Sequence, residues 1–132
     1  MDYFSFIKEY SEEIGGQFTS YDSSKSVFVV PVAEGRFQTV LLSLDKSKAS
    51  GKERGVITSK VCECTTLMDL KILLEKHATF DYSRFIIENN TIKIEVTFQA
   101  EGTTHDEIKY MIQEVASLAD SYELKLTGKD IN

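Results

Sequence analysis

The sequence predicts an α+β fold, a single domain spanning residues 1–132 in which an antiparallel sheet is covered by helices. Three observations lead there. Apolar residues recur at helical spacing in three separate segments. The strand-like segments come in consecutive runs, three and then two, rather than singly between helices. That order, α-β-β-β-α-β-β-α, belongs to antiparallel sheets and excludes a doubly wound one. Finally, 132 residues suit one domain, able to bury roughly two thirds of its unfolded surface.

Residues 2–14 form the first predicted helix. Tyr3, Phe6, Ile7, Tyr10 and Ile14 recur at steps of three and four, and Phe4 widens the stripe. Asp2 can cap the first turn. Gly15 and Gly16 end the helix, because glycine enters the left-handed region without a steric penalty. Residues 19–26 are polar and read as a loop or a frayed strand. Residues 27–32 are β-branched and short, so they read as strand, apolar on both faces: Val27 and Val29 against Phe28, Val30 and Val32. Pro31 cannot donate to a ladder, which puts that end at a sheet edge or a strand terminus.

Glu34-Gly35 is a turn, and residues 36–44 form the next strand. Val40, Leu42 and Leu44 alternate there with Thr39, Leu41 and Ser43. Residues 45–54 read as a polar loop with four positive and two negative side chains. Its cations, Lys46, Lys48, Lys52 and Arg54, either line a solvated hairpin loop or offer an anion contact. Residues 55–64 form the third strand. Ile57, Ser59, Val61 and Glu63 share one face, and Val56, Thr58, Lys60, Cys62 and Cys64 the other.

Thr65 or Thr66 is the expected cap of the second helix, residues 67–77. Its apolar residues Leu67, Met68, Leu70, Ile72, Leu73 and Leu74 make a stripe wider than one sheet can cover, which points to a second subunit. Residues 83–88 and 91–99 form a hairpin about Asn89-Asn90, a pair that tolerates positive φ. Ile92, Ile94, Val96 and Phe98 face inward, and Lys93, Glu95, Thr97 and Gln99 outward. Thr104 and Glu107 form a capping box for the last helix. Ile108, Met111, Ile112, Val115, Ala119 and Tyr122 are its inner face. Leu124 and Leu126 add a short final segment, and the tail after Thr127 is expected to be loose.

Charge excludes some functions. Fifteen Lys and Arg against 21 Asp and Glu leave a net charge of −6, the wrong sign for nucleic acid or an anionic membrane surface. Residues 1–14 lack the basic and apolar regions of a secretory signal, and no run approaches a transmembrane length. Cys62 and Cys64 lie two apart, too close for a structural bridge and unlike a C-x-x-C site. They read as reduced thiols and suit a cytoplasmic location.

Chemistry is sparse. Neither a G-x-G-x-x-G nor a G-x-x-x-x-G-K-[ST] phosphate loop is present. His77 and His105 stand far apart without companion ligands, so no metal or other cofactor is expected. His77, in the last turn of its helix, suits the helix dipole, and His105 is expected to be exposed. No G-x-S-x-G elbow marks a nucleophile. Glu12-Glu13 and Asp106-Glu107 read as solvated helix faces rather than acid–base pairs. No catalytic residue is assigned, and the chain is expected not to be an enzyme.

The element order from Tyr3 to Tyr122, the size and the acidity resemble the type III secretion chaperone fold and the YbjN-like proteins that share it. The resemblance implies a small cytoplasmic homodimer that holds an extended client segment across apolar patches. It implies that Leu70, Leu73, Leu74, Val96 and Phe98 pack the dimer. It also implies that Phe4, Ile7, Phe28, Val30, Val40 and Leu42 face the client. Rival readings are a small-ligand or regulatory domain, with the cations of residues 45–54 on an anion, and an immunity-type binder.

Overall fold

The computed structural model describes residues 3–20 and 22–127. Asp2 and the tail after Thr127 lie outside the described residues. The chain opens with α1 (Tyr3–Glu13), then runs through four strands: β1 (Gln17–Ser20), β2 (Lys25–Pro31), β3 (Phe37–Lys46) and β4 (Glu53–Glu63). Next come α2 (Leu70–His77), the hairpin β5 (Arg84–Glu88) and β6 (Thr91–Gln99), and the long α3 (His105–Thr127). All strand pairs are antiparallel, in the order β1-β2-β3-β4-β6-β5. The α+β class therefore holds, and the expected succession of helices and strands gains one short strand, β1.

Five details differ from the sequence expectation. First, a strand forms where a loop or a frayed strand was expected, but β1 starts earlier, at Gln17, and pairs Phe18 with Phe28. Gly16 makes this possible: a Cβ there would stand 2.0 Å from the Val29 carbonyl oxygen. Second, β3 and β4 run further than expected, so the basic loop shrinks to residues 47–52. Third, α2 begins at Leu70, and its cap is Asp69 rather than Thr65 or Thr66. The Asp69 carboxylate accepts the Ile72 amide at 3.2 Å, so Leu67 and Met68 precede the helix. Fourth, α3 continues to Thr127 because no glycine or proline interrupts it, and Leu124 and Leu126 belong to it.

The fifth concerns β4. Its register against β6 shifts between Lys60 and Cys62, leaving Val61 as the extra residue of a bulge. Cys62 then pairs with Ile92 and turns inward, so Val61 and Cys62 are both buried. Strict alternation had put Cys62 on the opposite face.

Other local predictions stand. Gly15 has φ 77°, and the hairpin residues Asn89 and Asn90 have φ 51° and 60°. In the capping box, the Glu107 amide donates to Thr104 Oγ1 at 3.1 Å and the Thr104 amide to Glu107 Oε1 at 3.3 Å. Pro31 is the last residue of β2.

The core lies between the sheet and the helices. Phe28, Val30, Val40, Leu42, Ile57, Ile92, Ile94, Val96 and Phe98 meet Ile7, Ile108, Ile112, Val115 and Ala119. The α1 and α3 helices cover this face side by side, joined by Gln113 Nε2 donating to Tyr10 Oη at 2.8 Å. The α2 helix reaches the same layer through Leu73, and Phe85 meets Tyr122 edge-on at 4.9 Å. Gly55 lies under Phe98, where a Cβ would come within 2.2 Å of the ring. Among the described residues, no helix lies on the opposite face of the sheet.

Candidate functional site

The inner face holds a short polar layer toward the end of α3. Ala116, Asp120 and Glu123 follow one another at helical steps on its buried side. The Arg36 guanidinium spans the Asp120 carboxylate, with Nε at 3.1 and 3.2 Å and Nη2 at 3.0 Å. The Asp120 hydrogen bonds raise the Arg36 pKa further, so the guanidinium stays charged. Gln38 donates to Ser59 Oγ at 2.9 Å and to the Lys60 carbonyl at 3.0 Å. Burial pushes the Cys62 thiol up, and Glu123 adds to the rise, so this sulfur is not an activated thiolate. The layer ties the β2–β3 turn and β4 to α3. It has no histidine and no low-pKa nucleophile.

Other titratable groups do structural work. Burial tends to raise the Glu114 carboxyl, but the Ser83 hydroxyl and the amides of Tyr82, Asp81 and Ser83 together hold it below the usual range. Those donors sit 2.6 to 2.9 Å away, so Glu114 pins the entry to β5. His77 accepts the Phe85 amide at Nδ1, 3.3 Å, which ties α2 to β5. His105 is exposed and stacks over Phe6, with centroids 4.0 Å apart. Among the described residues, no group of three or more His, Cys, Asp or Glu is placed to hold a metal ion. No helix among them is long and apolar enough to cross a membrane. A recess of about 630 Å³ opens beside α3, lined by Lys60, Cys62, Glu63, Met68, Lys125 and Leu126 among others. Its lining mixes the cations Lys60 and Lys125 with the anions Glu63 and Asp69.

The residues expected to face a client are almost all core. Ile7, Val30, Val40 and Leu42 are 0% exposed and Phe28 is 1%. They point at the helices, and only Phe4 is partly accessible. The physical reason is parity. The even-numbered residues of β2 and β3 turn toward the helices, and the odd-numbered ones turn away. The accessible apolar side chains are therefore Val27, Val29, Leu41 and Val56. Val27 pairs with Leu41 and Leu41 with Thr58, forming a row across three strands. Phe37, 49% exposed, stands at one end of β3.

The expected dimer residues divide. Val96, Phe98 and Leu73 are buried inside the protomer, so they serve its core instead. Leu70 and Leu74 remain open, at 39% and 61%, with Ile72 and Leu67 near them. Ile87 on β5 adds another exposed apolar side chain, at 51%.

The anion-contact group is weakened by one pairing. Arg54 forks onto Asp45, with Nε at 2.6 Å and Nη2 at 3.2 Å. Lys46, Lys48 and Lys52 lie on or beside the hairpin, exposed and spread along it.

Sequence reasoning missed Asp120 and Glu123. Their signal was present: both fall on the apolar helical stripe, four residues after Ala116 and Ala119. Nothing local marked Arg36 as the partner of Asp120. No protein-family model matches the chain, and no curated protein is recognisably similar to it in sequence.

Proposed function

We propose that the protein is a non-enzymatic protein-binding module, a cytoplasmic homodimer of chaperone-like fold that holds an extended segment of a client protein. The observation that carries this reading is the sheet face without a helix. Its centre is apolar (Val27, Val29, Leu41 and Val56) and its margins hold paired charges. An extended segment can lay alternate side chains over such a face and add main-chain bonds at a strand edge. The exposed Leu70 and Leu74 of α2 support the homodimer, because an interface combines apolar centres with polar rims.

The test is suppression of aggregation. The protein is added to a chemically unfolded model polypeptide at equal concentration, and light scattering is followed. Wild type is expected to suppress scattering, and Val29→Lys/Leu41→Lys to lose the effect with its far-ultraviolet dichroism unchanged. Equal suppression by the folded double variant overturns the sheet-face assignment. No suppression by wild type overturns the chaperone reading.

A further inference from the structure

The homodimer in this reading has two candidate edges, since β1 and β5 end the sheet. The β1 strand is four residues long and mostly polar, Gln-Phe-Thr-Ser. The β5 strand reads Arg-Phe-Ile-Ile-Glu, with a cation first, an anion last and three apolar residues between. That pattern is complementary to itself when the strand is reversed.

Backbone direction on β5 follows from its hairpin. Glu88 and Thr91 flank a two-residue turn, so they exchange main-chain bonds with each other. Alternation then points Arg84, Ile86 and Glu88 main-chain groups at β6, and those of Phe85 and Ile87 away from the sheet. The Phe85 amide agrees, since it donates outward to His77. Ile87 is half exposed on this edge.

We propose that two copies of the chain join β5 to β5 in antiparallel fashion, in the register that sets Arg84 opposite the partner subunit's Glu88. This deepens the homodimer part of the proposed function and rests on it. Phe85 then lies opposite the partner's Ile87, and Ile86 opposite the partner's Ile86 on the two-fold axis. The outward main-chain groups of Phe85 and Ile87 bond across, the Phe85 amide exchanging its long contact to His77. Charge favours this register. Within one copy Arg84 already pairs with Glu95 at 2.6 Å, and Glu88 with Lys93 at 2.8 Å. Joining the edges places each Arg84 between two carboxylates and each Glu88 between two cations, an alternating network. A five-residue strand pair is small beside the roughly 1,600 Å² of a standard interface. The exposed Leu70, Leu74 and Ile87 beside the edge supply further apolar area to cover.

The test is a disulfide on the axis. Ile86 sits at a pair that exchanges no main-chain bonds with its counterpart, with Cα atoms roughly 4.5 Å apart, within disulfide reach. Ile86→Cys is expected to form a covalent dimer under mild oxidation. Wild type, whose Cys62 and Cys64 lie on β4 and just beyond it, and Arg84→Cys are expected to remain single chains on the same non-reducing gel. Light scattering on the unmodified protein separates the failures. A dimer in solution whose Ile86→Cys form does not cross-link overturns this register and leaves the homodimer standing. A monomer at tens of micromolar overturns both. Glu88→Arg provides a second reading, since it sets two cations opposite each other twice. Dimerisation about tenfold weaker or worse is expected, with far-ultraviolet dichroism unchanged. An unchanged dissociation constant overturns the proposal.

Discussion

The two faces of the sheet are built from the same strands, one residue apart, and have opposite roles. On β2, Phe28 and Val30 disappear under α1 and α3, while Val27 and Val29 look out on a face without a helix. Hydropathy does not separate these neighbours, because all four are apolar. What separates them is the pleat combined with which side the helices take. A strand apolar on both sides leaves its register open in the sequence, and burial decides it only through neighbours with clean alternation. The difference teaches that an apolar strand can be half core and half accessible surface, and that choosing the wrong parity exchanges one for the other.

The sharpest way to break this comparison is to put the same charge on each side. Phe28→Asp buries a carboxylate with no cation opposite it and removes a large core side chain. A loss of about 4 kcal/mol or more is expected, enough to unfold a marginal domain. Val29→Asp, one residue away, is expected to cost about 1 kcal/mol or less. Urea unfolding of both variants checks the pair, and equal losses would erase the distinction between the faces.

A smaller effect tests how tightly the covered face is packed. Gly55→Ala would drive a Cβ into the Phe98 ring, which Tyr3 holds edge-on at 5.8 Å. The ring is buried, so displacing it costs packing. A destabilisation of about 1–3 kcal/mol is expected from denaturant midpoints. Val56→Ala, the next residue and on the open side, should fall well short of that.

Acid sharpens the comparison differently, because Glu114 ties the helical layer to β5 through three backbone amides, whereas the lowered carboxylates of the open face, Asp45 and Glu88, are exposed and each pairs with a single side chain. Glu114 has a folded-state pKa below its unfolded value, so its contribution is fully present above about pH 4.3 and is lost as pH falls through the folded value. Hydrogen exchange at the amides of Asp81, Tyr82 and Ser83 is expected to accelerate there before the sheet opens. In Glu114→Gln that acid step should vanish. If the same step persists in the variant, another group controls this corner.

Much of this fold was legible because several signals were local. The β6 strand alternates without exception, and its inward set, Ile92, Ile94, Val96 and Phe98, is the buried set. The Asn89-Asn90 turn and the Thr104–Glu107 box announced themselves by residue type. The illegible features were long-range. The bulge at Val61 is set by pairing with β6, and nothing in Val-Cys-Glu-Cys reveals it. The α2 cap fell to Asp69 although Thr65 and Thr66 were chemically eligible. The surface residues were misread for the same reason: Ile7, Phe28, Val30, Val40 and Leu42 are apolar enough for either fate, and only the helix layer decides.

The smallest stability effect, and the most discriminating for function, belongs to the open face itself. Val27 and Leu41 sit opposite each other there, both only partly covered. Replacing both by threonine keeps β-branching at one position and introduces it at the other, so strand propensity is preserved. The hydroxyls remain in water and leave no buried polar group behind. A change within about 1 kcal/mol is therefore expected in urea unfolding. Client binding should respond far more, because two apolar contacts leave the centre of the surface. A surface with no function would lose neither stability nor aggregation suppression. A face that only completes the core would lose stability first, with binding following in proportion. Loss of binding at constant stability is the one pattern that a recognition surface predicts and the other two do not.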